Sequence, residues 1–209
     1  MEIKVIALTT TQQILISQID EVPAAVQGEP DCKLVHGQFV KPMLAKAKKE
    51  TDVISEPIID IKYDGNMYQI HHSYISEMNA HSTIIFNRKG NVVTNQFPDV
   101  VDIVRSMNLP NIILDCEIYP VDMQGNPAEH KLLAKRVHKK NKDEAMQECP
   151  VKLAVFDLLS YNANVMLDEP QRNRMTALKE IIEPVHDVLI KPFANDLPTI
   201  TQKVSSKYK

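Results

Sequence analysis

Ile58-Ile59-Asp60-Ile61-Lys62-Tyr63-Asp64-Gly65 is the stretch on which the reading of this chain turns. An apolar run predicts a strand, and the run ends in a turn that carries a lysine, a carboxylate and one of only 5 glycines in 209 residues. Asp60 and Lys62 are two apart, so on a strand their side chains share one face. A strand end holds an amine rigidly, and a neighbouring glycine lets another group come close to the backbone. A lysine that acts as a nucleophile must lose its proton, and burial beside other cations makes that possible. The plainer alternative for these residues is a surface ion pair at a strand end.

Outward from this turn, Met67 to His71 predicts a second strand and Thr83 to Arg88 a third, ending at Lys89-Gly90-Asn91. Asp99 to Met107 predicts a helix, with Val100, Val101 and Val104 on one face. Asn111 to Pro120 and Lys152 to Leu159 predict two further strands, Gln171 to Ile182 a helix begun after Pro170, and Val188 to Lys191 a last strand. Glu129 to Glu148 is polar, basic and helical in pattern. Hairpins mixed with scattered helices point to an α+β class rather than a regular βαβ alternation. The first 50 or so residues differ in texture. Thr11 to Val22 predicts one amphipathic helix, Pro23, Gly28 and Pro30 break the pattern, and Pro42-Met43-Leu44-Ala45 leads into the lysine-rich Lys46 to Lys49.

Four constellations lie on these strands. The first is Asp60, Lys62, Asp64 and Gly65. The second is Phe86-Asn87-Arg88-Lys89, where Arg88 closes a strand; a planar guanidinium suits phosphate, although an exposed arginine before a turn is ordinary. The third is Asp115-Cys116-Glu117, two carboxylates on one face of an apolar strand, a costly placement unless they meet a cation, a ribose hydroxyl or a metal. The fourth is Phe156-Asp157, core by default and a platform for a planar base by function. Lys131, Lys135, Arg136, His138, Lys139, Lys140 and Lys142 form a basic helical run, either solvated surface or a phosphate-contacting stripe.

A net charge of -3 argues against a wholly basic nucleic-acid coat, and 44% hydrophobic content suffices for one full core. The 3 cysteines, Cys32, Cys116 and Cys149, lack C-x-x-C spacing and fit reduced thiols better than a disulfide framework or a zinc site. No apolar leader or long uncharged apolar run is present, which predicts a soluble intracellular protein, cytoplasmic, or nuclear in a eukaryote.

Taken in order, these stretches resemble the adenylation domain of ATP-dependent DNA ligases, most closely the archaeal type. Lys62-Tyr63-Asp64-Gly65 with Tyr68-Gln69-Ile70-His71 is similar to the family's nucleotidyl-lysine motif and the strand after it. Val40-Lys41-Pro42-Met43-Leu44-Ala45 is similar to the segment just before that domain. Asn87-Arg88-Lys89-Gly90 with Val93 to Asp99, then Leu114 to Glu117 and Phe156 to Leu159, follow the family's next motifs, and Arg172 and Arg174 fall near its arginine pair. The resemblance covers residues from about 40 to 190, and several ordered motifs are far more specific than one.

It implies an α+β, nucleotidyltransferase (ATP-grasp-like) adenylation domain of mixed, largely antiparallel sheets with flanking helices, incomplete at the C-terminus. Residues 1–50 would be an appendage or a remnant of the DNA-binding domain with its linker, and 51–209 a partial adenylation domain without the OB-fold domain. Lys62 would attack the α-phosphate of ATP and hold AMP as a phosphoramidate. Asp60 would read the adenine amino group in place of the usual glutamate, with Asp64 and Gly65 completing the nucleotide-binding motif. Arg88 would hold phosphate, Glu117 would contact ribose or Mg2+, and Phe156 would stack on adenine. The partners implied are ATP and nicked double-stranded DNA, with a sliding clamp or a separate C-terminal half, and no membrane. The function implied is sealing of DNA nicks in replication, repair and recombination through a lysine-AMP intermediate, in a fragment inactive alone.

Three departures qualify this. Met67 stands where the family has arginine, Asp60 is one methylene shorter than glutamate, and neither a Glu-Gly-hydrophobic-Lys nor a Lys-x-Lys motif is recognisable before Lys209. Asn195 to Lys209 reads as the helix before the first of these motifs or as its degenerate end. The departures favour, as an alternative, a catalytically dead relic that binds nucleotide or nicked DNA. A second alternative is an RNA ligase or capping-type nucleotidyltransferase, against which the Pro-Met-Leu-Ala and Gln-Phe-Pro-Asp stretches weigh.

Overall fold

The computed structural model describes residues 2–6, 34–43, 58–162, 164–182, 187–191 and 193–194. The expected Thr11–Val22 helix, the breakers from Pro23 to Pro30, the lysines from 46 to 49, Cys32 and the segment 195–209 lie outside the described residues. The chain divides into two compact units, one of residues 1–27, 42–63 and 191–209, the other of 28–41 and 64–190. The division falls inside the Lys62–Gly65 motif.

In the first unit, β1 (Glu2–Ile6), β2 (Ile58–Lys62) and β9 (Phe193–Ala194) form a three-stranded antiparallel sheet with β2 in the middle. Ile61 is fully buried there while Lys62 is exposed, as period-two alternation requires.

The second unit is built on a six-stranded sheet. Its strands are β3 (Asn66–Ile75), β4 (Ala80–Asn87), β5 (Ile112–Pro120), β6 (Val151–Tyr161), β7 (Asn164–Val165) and β8 (Val188–Ile190). The order β4-β3-β5-β6-β7 is antiparallel throughout, and β8 alone runs parallel to β6. The expected mixed, largely antiparallel α+β architecture is therefore present. Strand β3 is longer than the sequence pattern marks: it continues four residues past His71, with His72 and Ser73 as buried as the apolar residues before them.

Helix α1 (Pro98–Ser106) opens with proline at its first turn, where no backbone donor is needed, and buries Val100, Val101 and Val104 as expected. Phe97, just before it, is fully buried and meets Tyr68 of β3 edge-on at 4.9 Å. The basic run 129–148 is two helices rather than one, α2 (Lys131–His138) and α3 (Lys142–Glu148). Asn141 causes the break: its side chain accepts from the backbone N–H of Asp143 and Glu144 and so starts a new helix. Helix α4 (Gln171–Ile181) follows Pro170 and packs on β6. No helix among the described residues is long and apolar enough to cross a membrane.

The continuous basic face is corrected by the same region. Arg136 points inward with no side-chain exposure, paired with Asp99, donating to the Cys149 carbonyl at 2.7 Å and lying 5.3 Å over the Phe97 ring. A guanidinium can satisfy several acceptors at once and still lie flat on an aromatic ring, which is why arginine, unlike its lysine neighbours, fits inside. Lys139 is tied to Glu144 at 3.1 Å and Glu148 at 2.5 Å.

Candidate nucleotide site

In the first unit the site residues are Asp60 and Lys62 on one face of β2. Lys62 is exposed at the strand end. Asp60 is largely buried, its Oδ2 2.7 Å from the Nζ of Lys191, while its Oδ1 is buried without a hydrogen-bond partner. Burial raises the Asp60 pKa above the ordinary aspartate value, and the Lys191 charge and hydrogen bond pull it back. Lys191, just ahead of the short strand that pairs with β2, carried no signal in the sequence.

In the second unit, Gly65 and Arg88 flank strand ends of one sheet, Glu117 lies within β5, and Phe156 sits at a bulge of β6. Gly65 precedes β3 where the backbone of β5 passes close: an added Cβ would lie 2.2 Å from the Ile118 carbonyl oxygen. Only glycine fits there, which explains its place in the motif. Asp64 is exposed. Arg88 is exposed and follows Asn87, the register partner of Tyr68. Asn87 shapes the turn after it, accepting from the backbone N–H of Lys89 and Asn91 at 3.0 and 3.1 Å.

Met67 stands directly across from Glu117, and Glu117 from Ala154. Cross-strand partners share a face, so position 67 and the candidate ribose- or metal-contacting carboxylate are neighbours. Phe156 is the extra residue of a bulge, since Cys116 pairs with Val155 and Asp115 with Asp157. A bulge re-aims the side chain it carries, and Phe156 is half-buried where Val155 beside it is buried.

One step along the same face runs a row of polar side chains that the sequence only partly revealed. Gln69 is fully buried and uses every hydrogen-bonding position it has. Its Nε2 donates to the Val40 carbonyl and to Asp115 Oδ1, both at 2.9 Å, and its Oε1 accepts from the Val40 N–H at 2.8 Å and from His71 Nε2 at 2.9 Å. His71 Nδ1 accepts from the Gly37 N–H at 3.2 Å, which leaves the ring proton on Nε2. Burial first, and His36 second, lower the His71 pKa to about 4, so it is neutral at physiological pH. Gln69 and His71 thereby pin the segment before Pro42 onto the centre of the sheet.

Asp115 has its pKa raised to about 7, chiefly by burial and further by Asp157, against the opposing pull of Gln69 and Arg174. Asp157 is gripped by Arg174 through two contacts of 2.7 Å, and Arg174 also donates to the Glu169 carbonyl at 2.6 Å. Arg174 is thus committed to bracing β6 beside the Phe156 bulge. Cys116 and Cys149 are buried, and burial raises both thiol pKa values, which makes them inert core groups.

Comparison with known proteins adds the following. Residues 42–203 match the family described as ATP dependent DNA ligase domain, and residues 1–78 match a family of unknown function, DUF6561. The chain is 32% identical over 168 residues to a DNA ligase of Sulfurisphaera tokodaii, covering 76% of this chain and 27% of that protein. It is 34% identical over 167 residues to a DNA ligase of Methanobrevibacter smithii, covering 77% and 29%. The chain thus spans under a third of the length of these curated relatives. The ligase domain of M. tuberculosis LigD has a similar fold, with a TM-score of 0.52 at 16% identity over 72% of this chain and 44% of that one.

Proposed function

The chain belongs to the ATP-dependent DNA ligase domain family, and from that premise we propose that it supplies the nucleotide-binding part of a nick-sealing enzyme. Lys62 is the nucleophile: its unprotonated Nζ attacks the α-phosphorus of ATP, a P–N bond forms and pyrophosphate leaves. AMP then passes to the 5′-phosphate of a DNA nick, and attack by the 3′-hydroxyl seals the strand and releases AMP. Asp60 reads the base, Arg88 holds phosphate, Glu117 contacts ribose or metal, and Phe156 stacks on adenine, with Asp64 and Gly65 shaping the turn beyond Lys62. The observation that supports this reading most is the meeting of Met67, Glu117 and the Phe156 bulge on three adjacent strands, next to a saturated polar row that fixes those strands.

Mg2+ would find one protein carboxylate here, that of Glu117. Among the described residues no group of three or more histidine, cysteine or carboxylate side chains is placed to hold a metal. Mg2+ commonly takes one or two carboxylates and fills its remaining positions with phosphate oxygens and water, and Glu117 offers one such carboxylate. The ion would neutralise charge on the leaving phosphates. Residues 1–50 and 51–209 are proposed as an appendage and an adenylation domain, and a sliding clamp as a partner.

A second reading, nucleotide or nicked-DNA binding without chemistry, is favoured by Met67, which places a thioether across from Glu117 where the family resemblance implies an arginine. Intact-mass and peptide mass spectrometry after incubation with ATP and Mg2+ separates the two. The isolated chain is expected to give little adduct. Fusion to the C-terminal region of a related ligase is expected to raise it, on Lys62, with loss in Lys62→Ala. A stable adduct on another lysine refutes the assignment, and a folded fusion that binds ATP without any adduct establishes the second reading.

A further inference from the structure

Residues 34–41 lie across β3 and β4 as a strap, and what holds them there is not a strand ladder. Among the described residues, every hydrogen bond from positions 36–40 to the sheet ends on a side chain. His36 Nε2 lies 3.3 Å from Ser82 Oγ, the Gly37 N–H donates to His71 Nδ1 at 3.2 Å, and Val40 spends both its N–H and its carbonyl on Gln69. Phe39 adds a ring contact with Phe86 at 5.8 Å. The strap bends at Gly37, whose φ of 85° lies in the left-handed region, and the Gln38 N–H closes that bend on the Val35 carbonyl at 3.0 Å.

His71 is the pivot of this attachment. The bond from Gly37 needs a bare Nδ1, because the Nε2 proton is already spent on Gln69 Oε1 at 2.9 Å. A proton added at Nδ1 turns that acceptor into a donor facing the Gly37 N–H. Gln69 cannot relieve the conflict, since its four positions are filled. The ring is fully buried, so water cannot solvate the new charge. The groups that face the ring give it no anion at contact. His36 of the strap meets it edge-on at 5.8 Å and Phe86 of β4 at 5.0 Å, while Asp115 of β5 stands behind the Gln69 amide that binds it. Burial first, and His36 second, hold the His71 pKa at about 4, and burial lowers that of His36 as well.

We infer that the 34–41 strap is an acid-released cover with His71 as its latch: protonation of His71 lifts the strap while the sheet beneath stays folded. The lifted strap exposes the ring, whose affinity for a proton then returns to that of an ordinary histidine. The seated strap is therefore fully favoured above about pH 6.5 and loses that advantage as pH falls through 4. The ratio of lifted to seated strap rises about 100-fold between pH 7 and pH 4. Lifting frees Gln69 from Val40 and uncovers it, beside Asp115, on the face that carries Glu117. No nucleotide is needed for this.

Hydrogen–deuterium exchange of the full chain, read by mass spectrometry from pH 7 to about pH 3.5 and corrected for the intrinsic pH dependence of exchange, is the test. The peptide covering 34–41 is expected to gain about 100-fold in corrected rate, with peptides from β5 and β6 unchanged. His71→Gln is expected to remove most of that gain. His72→Gln is the control and is expected to keep it. His72 lies on the opposite face, 2.8 Å from Thr83 Oγ1, and burial lowers its pKa to about 4 too, yet it holds no part of the strap. A corrected strap rate that stays flat overturns the inference. So does one that rises only together with β5 and β6, or one that rises equally in His71→Gln. If His71→Gln fails to fold, an NMR titration of the His71 ring in the wild type is read in its place. The ring is expected to titrate where the strap rate levels off, and a titration more than about one pH unit away overturns the inference as well.

Discussion

Replacing Gly65 by alanine tests the close approach on which the motif turn depends. The added Cβ would lie 2.2 Å from the Ile118 oxygen and 2.8 Å from its carbonyl carbon. A comfortable carbon-to-oxygen approach is about 3.3 Å, so β5 or the turn must yield by roughly 1 Å. The obstacle is backbone in the interior of a sheet, so no side chain can swing aside. Overpacking of this kind costs about 1–3 kcal/mol, and the immobility of both partners argues for the upper half of that range. In a chain of this size that loss lowers the melting temperature by roughly 5–10 °C. Gly125→Ala is the control. It has a positive φ of 82°, but its added Cβ meets only the flexible end of Lys152 at 3.1 Å, so it carries local strain of about 1 kcal/mol. Urea unfolding of both variants gives the comparison. Gly65→Ala with an unchanged midpoint, or Gly125→Ala as the more damaging change, would refute the close-approach argument. In the C-terminally extended fusion, Gly65→Ala should also slow adduct formation on Lys62, which stands three residues before the displaced glycine.

Arg174→Met is expected to cost about 3–5 kcal/mol, since it strands the Asp157 carboxylate beside Asp115; Asp157→Asn added to it should recover part of that loss in a double-mutant cycle. Arg136→Lys is expected to lose about 2–4 kcal/mol, because an ammonium cannot serve Asp99, the Cys149 carbonyl and the Phe97 ring together. Lys135→Ala and Lys140→Ala on the exposed side should stay within about 0.5 kcal/mol, and equal losses at all three positions would contradict the inward placement of Arg136. Asp115→Asn should stabilise the protein more at pH 8 than at pH 5. The folded-state pKa of Asp115 is raised from 3.8 to about 7, so its contribution is present below pH 3.8 and is lost as pH rises through 7. The difference between the two pH values is on the order of 2 kcal/mol, and urea titrations showing no difference or the opposite sign would falsify the assignment. His71 acts in the other direction: its pKa falls from 6.5 to about 4, so its contribution is present above pH 6.5 and is lost as the solution is acidified toward pH 4. His71→Gln is expected to flatten the acid side of the stability profile.

Local pattern sufficed where one element settles its own fate. Val100, Val101 and Val104 share a helical face, Pro98 can only begin a helix, and the apolar runs around Leu114 and Val155 have no stable place but a buried strand. It failed where one polar residue outweighs its neighbours. Asn141 divides a helical run by capping, a choice that depends on a side chain reaching two backbone N–H groups. Arg136 reads as one member of a basic run because nothing near it in sequence shows that Asp99, 37 residues away, takes its charge inside.

The candidate site divides along the same line. Lys62, Arg88, Glu117 and Phe156 are visible because each lies at a strand end or inside an apolar run, where its chemical type is out of place locally. The groups that fix them were hidden because their partners are distant in sequence. Gln69 bonds Asp115 46 positions later, and Asp157 bonds Arg174 17 later. A buried glutamine is tolerable only with its four hydrogen-bonding positions filled, and here all four are, by Val40, His71 and Asp115. Such a residue has one orientation, and it passes that constraint to the strands on either side of Glu117. Asp60 and Lys191 were hidden in the same way: Lys191 reaches Asp60 Oδ2 at 2.7 Å from near the far end of the described chain, and no local pattern announces a pairing over that separation.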